Sequence, residues 1–131
     1  MTSTNCVFCQ LPRERIVQEN EHAMLIFDGF AVSPGHSIIV SKRHVRSLFD
    51  LNDAERQALL ALLDVAHSRL TESHHPDGFN IGINDGPAAG QTVPHLHVHV
   101  IPRYTGDQPD PRGGVRWVIP EKANYWSGGR T

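Results

Sequence analysis

Residues 95–101 read His-Leu-His-Val-His-Val-Ile. Side chains of an extended segment alternate between two faces. Leu96, Val98 and Val100 therefore point one way, as suits a packed core. His95, His97 and His99 point the other, with neighbours roughly 7 Å apart at ~3.3 Å rise per residue. Packing alone is a poor account of such a row, because each imidazole has two nitrogens that need partners when buried. The plain alternative is a solvent-facing strand that happens to carry histidines. The chain has nine histidines in 131 residues, so placement and not number singles these out.

The rest of the chain supplies a frame for that strand. Residues 16–19 and 22–28 read as two short strands joined by a tight turn at Asn20-Glu21. Ser33-Pro34-Gly35 signals a loop, and the β-rich Ser37-Ile38-Ile39-Val40 suits a buried strand. A short helix is expected over 44–49. A longer one is expected over 52–72, capped by Asn52 with Glu55 completing a capping box. Ala58, Leu59, Leu62, Leu63, Ala66 and Leu70 fall on one stripe of it. Residues 79–84 form another strand, and Pro102 is expected to end the 95–101 strand. Residues 106–114 are rich in Pro, Gly and Asp and read as a loop or flap, with a brief strand over 116–119. The pattern is α+β, a mainly antiparallel sheet of about five strands with one long and one short helix.

Length suits a single domain spanning 1–131, with a core over 6–104 and a tail over 105–131. A net charge of -2 gives no electrostatic reason to expect nucleic acid or a membrane surface as partner. No apolar run nears the ~20 residues that span a bilayer. The polar start, residues 1–5, lacks a signal-peptide apolar stretch, so a cytoplasmic location is expected.

The loop before the histidine strand, Asn84-Asp85-Gly86-Pro87-Ala88-Ala89-Gly90-Gln91-Thr92-Val93, is rich in small residues. Its backbone N–H groups with Gln91 and Thr92 can converge on an anion, or it is an ordinary connection. Residues 95–101 fit a His-φ-His-φ-His-φ-φ signature, φ being hydrophobic. With Gly90-Gln91-Thr92-Val93 and Pro34-Gly35-His36, the chain resembles the histidine-triad (HIT) family over most of 6–104. The stretch 85–103 is similar to the fragile-histidine-triad branch, which cleaves dinucleoside polyphosphates. The resemblance implies that His97 is the nucleophile and forms a covalent nucleotidyl-histidine, one ring nitrogen being held as N–H by the His95 carbonyl. A near-neutral imidazole can attack without a strong base. It further implies that His99 assists the leaving group and that His36 supports the triad. Gln91 and Thr92 would contact phosphate, Asp28 the ribose hydroxyls, Asn84 the phosphate region and Ile26 the base. Such phosphoryl transfer can run on positioning without a catalytic metal.

Cys6-Val7-Phe8-Cys9 has half of a zinc-site spacing. A redox pair would open a helix in a βαβ pattern, which is absent; buried thiols that bind nothing remain open. The resemblance to bacterial HIT proteins implies a closed set of Cys6, Cys9, His44 and His95 around a structural zinc, and a homodimer. His22, His67, His74 and His75 read as structural or exposed. In the tail, Arg112 and Arg116 could reach a distal phosphate and Trp117 could stack on a base, or all three pack the tail.

The leading expectation is a hydrolase releasing a nucleoside monophosphate from a dinucleoside polyphosphate. The alternatives are a nucleoside phosphoramidate hydrolase and a non-catalytic nucleotide- or metal-binding module. A zinc hydrolase with three histidine ligands is a further rival, but it leaves Cys6, Cys9 and the Gln-Thr lead-in without a role.

Overall fold

The computed structural model describes residues 5–128. Residues 1–4 and 129–131 of the expected domain and tail lie outside the described residues. Five strands form one antiparallel sheet: β1 (Ile16–Glu19), β2 (Ala23–Phe27), β3 (Ser37–Ser41), β4 (Gly78–Gly82) and β5 (His97–Arg103), in the order β1-β2-β3-β5-β4. One long helix, α1 (Asp53–His74), and one short one, α2 (Pro120–Ala123), complete it. The hairpin turn forms because Asn20 Oδ1 accepts from the backbone N–H groups of His22 and Ala23, at 3.0 and 2.9 Å.

The capping box forms as expected: Asn52 Oδ1 accepts from Glu55 N at 2.8 Å and Glu55 Oε1 from Asn52 N at 2.9 Å. From that start, α1 buries Leu59, Leu62, Ala66 and Leu70 against Leu25, Ile39, Leu96, Val98 and Val100. One sheet face is thereby dry. On the other, a smaller cluster of Ile26, Ile38 and Val40 lies under Phe8, Leu11, Ile16 and Met24. His97 pairs with Val40 and His99 with Ile38, so both rings continue this second face, away from α1.

Three expectations need correction. The chain at 44–49 is no helix; a 3-10 turn occupies Leu48–Asp50, started by Ser47, whose side chain accepts from Phe49 N. The short helix is α2 instead. Residues 116–119 are not a strand, because Gly113 and Gly114, with φ of 95° and 48°, coil the chain into a 3-10 turn over Gly114–Val118. Pro102 does not stop β5. Pairing with β3 ends at Ser37–Val100, and the Pro102 carbonyl accepts from Ser33 Oγ at 2.7 Å. A residue's N–H and C=O share one strand edge, so the missing N–H of Pro102 faces the side β3 has already left.

Candidate active site

Backbone atoms decide which nitrogen of each ring carries hydrogen. His97 Nδ1 lies 2.8 Å from the His95 carbonyl oxygen. A carbonyl only accepts, so Nδ1 donates and the neutral ring keeps its lone pair on Nε2. His36 is fixed the opposite way: the Val32 backbone N–H donates to its Nδ1 at 3.1 Å. Its hydrogen therefore sits on Nε2, which is 3.0 Å from His99 Nδ1 and 3.3 Å from Asp28 Oδ2. His99 Nδ1 then accepts from His36, leaving the His99 hydrogen on Nε2. The pair places a nucleophilic lone pair on His97 beside a donor on His99, with ring centroids 5.1 Å apart.

Burial pushes the pKa of His36 down, opposed by the charge of Asp28. Burial also lowers His99, aided by the neighbouring His97 and His36 and opposed by Asp28. Both rings are thereby kept neutral near pH 7, as the hydrogen-bond chain requires. Asp28, His36 and His99 cluster closely enough to hold a metal ion. The Val32 N–H argues against that use. A metal on His36 Nε2 would move the ring hydrogen to Nδ1, facing that amide donor.

A different cluster suits a metal. Cys6 Sγ lies 3.2 Å from His95 Nδ1, Cys9 Sγ lies 3.2 Å from His44 Nδ1 and 3.6 Å from His95 Nδ1, and the two Nδ1 atoms are 3.1 Å apart. Tetrahedral zinc, with bonds of about 2.0–2.3 Å, sets its ligand atoms about 3.3–3.8 Å apart, so the four fit around one ion. His95 is also turned correctly: its Nε2 donates to the Ser41 carbonyl at 2.7 Å, leaving Nδ1 free to ligate. The ring is fully buried, and burial lowers its pKa, favouring the neutral ligand form. Of the three alternating histidines, His95 thus lies just ahead of β5 and is sealed in, while His97 and His99 stay partly exposed.

The remaining expected residues divide. Asn84, His36 and His99 line a cavity of about 830 Å³ together with Asp107, Val115 and Trp117. Asp28 Oδ1 accepts from Phe30 N at 2.7 Å, holding its loop against the histidine pair. Thr92 is exposed on the connecting loop. Gln91 is committed elsewhere: Oε1 accepts from Gly86 N at 2.8 Å and Nε2 donates to the Arg46 carbonyl at 3.0 Å. Its amide braces the loop, so the expected contact with phosphate is not how that side chain is spent. Ile26 is 0% exposed beneath Phe8 and Leu11, which leaves no surface for a base. Arg112 pairs with Asp110 and lies over Trp126, while Arg116 bonds the Lys122 and Ala123 carbonyls. Both arginines pack the tail.

Sequence reading missed Phe8. Its ring stacks edge-on against His97 and His95, with centroids 5.1 and 5.7 Å away. The signal was present: a loop bringing Cys6 and Cys9 to His95 has to lay its intervening residues near His97.

The HIT domain family matches residues 12–106. The chain belongs to the HIT family. A Saccharomyces cerevisiae bis(5'-adenosyl)-triphosphatase is 34% identical over 122 residues, 92% of this chain and 56% of that protein. A HIT family protein from Bacillus anthracis superposes with a TM-score of 0.72 at 33% identity, covering 79% of this chain and 76% of the other. A Zn-bound histidine triad family protein from Mycobacterium smegmatis gives a TM-score of 0.64 at 36% identity, covering 81% and 84%. Among the described residues no helix is long and apolar enough to cross a membrane. This HIT chain therefore pairs a nucleotide-type histidine strand with a Cys/His cluster able to hold a metal.

Proposed function

We propose that this HIT protein is a nucleotide hydrolase in which His97 takes up a nucleoside monophosphate and passes it to water. The observation that carries the reading is the His97 Nδ1 bond to the His95 carbonyl, which leaves Nε2 as a free nucleophile. The Nε2 lone pair forms a bond to the α-phosphorus, and the bond from phosphorus to the leaving group breaks, its electron pair going to the leaving atom. His99 Nε2–H hydrogen-bonds that atom. The phosphorylated His97 ring is cationic, and its Nδ1–H bond to the His95 carbonyl strengthens as that charge develops. Water then adds at phosphorus, the P–N bond breaks with its pair returning to Nε2, and a proton leaves to solvent. Positioning and electrostatics supply the catalysis.

In this reading Asp28 takes the ribose hydroxyls, Asn84 and the 84–92 loop including Thr92 face the phosphate, Gln91 holds that loop's shape, and His36 orients His99. Zinc is the ion we assign to Cys6, Cys9, His44 and His95. A closed set of four protein ligands leaves no place for water, so its part is structural, tying the N-terminal arm to β5. A cytoplasmic homodimer is the proposed state.

A dinucleoside polyphosphate is the leading substrate, supported by likeness to the yeast triphosphatase. A nucleoside phosphoramidate is the second reading, favoured by the scarcity of free cations in the cavity beside His99. Radiolabelled nucleotide substrates, quenched in acid and in base, test the common core. Label that stays on protein in base, is lost in acid and is absent from His97→Ala is the expected result. Normal turnover by His97→Ala would end the proposal.

A further inference from the structure

The Val32 amide fixes the hydrogen of His36, yet packing does not hold that amide in place. The Phe30 and Val32 side chains are 92 and 73% exposed, and Ala31 and Pro34 are exposed as well. Hydrogen bonds therefore have to aim it. At the base of the loop, Asp28 N donates to the His36 carbonyl at 2.9 Å and His36 N to the Ser33 carbonyl at 3.1 Å. Register between β3 and β5 ends at Ser37–Val100, one residue after His36. Beyond it, two side chains carry the connection on. Ser33 Oγ donates to the Pro102 carbonyl and the Tyr104 hydroxyl to the Pro34 carbonyl, each at 2.7 Å. Burial and the charge of Asp77 both raise the Tyr104 pKa, so its hydroxyl keeps the hydrogen it donates.

The long helix α1 backs the same turn. Gly35 has a φ of 87°, and a β-carbon there would stand 3.0 Å from Leu70 Cδ2 and 3.2 Å from the His74 ring. Residues 33–35 thus touch both the end of β5 and the last turns of α1, and the neighbouring Val32 N–H reaches His36 Nδ1 at 3.1 Å.

That amide also bears on the charge of the ring. Protonated His36 carries hydrogen on both nitrogens, and a hydrogen on Nδ1 would meet the Val32 N–H head on. The amide therefore opposes the charged form, as burial does, against Asp28, whose Oδ2 is 3.3 Å from Nε2. The other titratable groups about the ring are His99 of β5, at 3.0 Å, and His74 of α1, which lies against Gly35. Arg103 and Asp107 share the cavity wall with it and pair with each other.

We propose that Ser33 and Tyr104 are positioning residues: their hydroxyls fasten the 28–36 loop to β5, and so keep the Val32 amide on His36 and the His36 hydrogen on His99. Both act through a backbone group and not on the reacting atoms. The inference rests on His99 as the donor to the leaving group.

The test compares the whole wild-type protein with Ser33→Ala, Tyr104→Phe and the double variant, by NMR and without substrate. Hydrogen exchange of the Val32 amide and the titration of His36 are read. Exchange is expected to quicken about tenfold in the double variant, with each single variant between. The His36 pKa should rise by about half a unit or more. Ser33→Thr keeps the hydroxyl and should match wild type in both. With diadenosine triphosphate as substrate, the acid limb of kcat should move up by the same amount while KM stays nearly constant. Unchanged exchange and titration in the double variant overturn the proposal. So does faster exchange with an unmoved His36, since the hydroxyls would then hold the loop and not the ring. Should the double variant fail to fold, the single variants decide by the same criteria. A raised His36 pKa with an unshifted kcat profile leaves the fastening intact and sinks the role given to His99.

Discussion

Glu55 joins the helix start to the metal-ligand step, and neutralising it has a calculable effect. Its carboxylate accepts from Arg43 Nε and Nη2, both at 2.8 Å, and from the Asn52 backbone N–H at 2.9 Å. The Arg43 bonds are the largest reason its pKa falls from 4.5 to about 2, with burial opposing. That drop corresponds to about 3.5 kcal/mol of preference for the charged form, at roughly 1.4 kcal/mol per unit. The Arg43 side chain is 45% exposed, and solvent screening brings the expectation for Glu55→Gln to about 2 kcal/mol at pH 7. For a chain of this size the shift is roughly 6 °C in Tm. The sign follows from a folded-state pKa below the unfolded one: the stabilisation is complete above about pH 4.5 and fades as pH falls toward about 2. Urea unfolding of wild type and Glu55→Gln at pH 7, 5, 4 and 3 measures the difference, and protonation of the metal ligands, common to both proteins, cancels from it. A gap that is absent at pH 7, or that stays constant down to pH 3, would refute the assignment of the shift to the Arg43 pair.

Two further outcomes follow from the site. Cys9→Ser removes one of four ligands, so metal bound per chain should fall well below that of wild type and Tm should drop in parallel; equal metal content by elemental analysis would break the four-ligand set. His36→Phe removes the donor that fixes His99, so nitrogen NMR should show His99 passing from one tautomer, with hydrogen on Nε2, to a mixture. In the same variant kcat should fall about tenfold with KM nearly unchanged, since positioned proton donors contribute factors of this order or more; a lower kcat with the tautomer intact would reduce His36 to a packing residue.

Much of this molecule is legible in its residues because the signals are periodic or local. The alternation at 95–101 announces a strand with one dry face, and Asn52 with Glu55 announces where α1 begins; both depend on neighbours a few positions apart. Two of the failures share a cause as well. Whether Pro102 interrupts β5 and where Gln91 points depend on partners far along the chain: Ser33 for Pro102 and Arg46 for Gln91. Ile26 illustrates it best. Its place in β2 was readable, but its exposure is decided by Phe8 and Leu11, which arrive from the N-terminal segment ahead of β1.

The chemistry turns on backbone partners, one distant along the chain and two close by. Three imidazoles are each oriented by one backbone group: His95 by the Ser41 carbonyl, His97 by the His95 carbonyl and His36 by the Val32 amide. Two carbonyls force rings to donate and one amide forces a ring to accept, so identical side chains acquire three uses. His95 presents Nδ1 to the Cys/His cluster, His97 presents Nε2 outward, and His36 sets the hydrogen of His99. Side-chain substitution cannot delete these backbone groups, yet it can move them. The N-terminal Cys loop lays Phe8 across the rings of both His95 and His97, so the segment that completes the metal cluster also presses on the ring assigned to attack. One aromatic side chain and one carbonyl therefore connect the Cys/His cluster to the ring of His97.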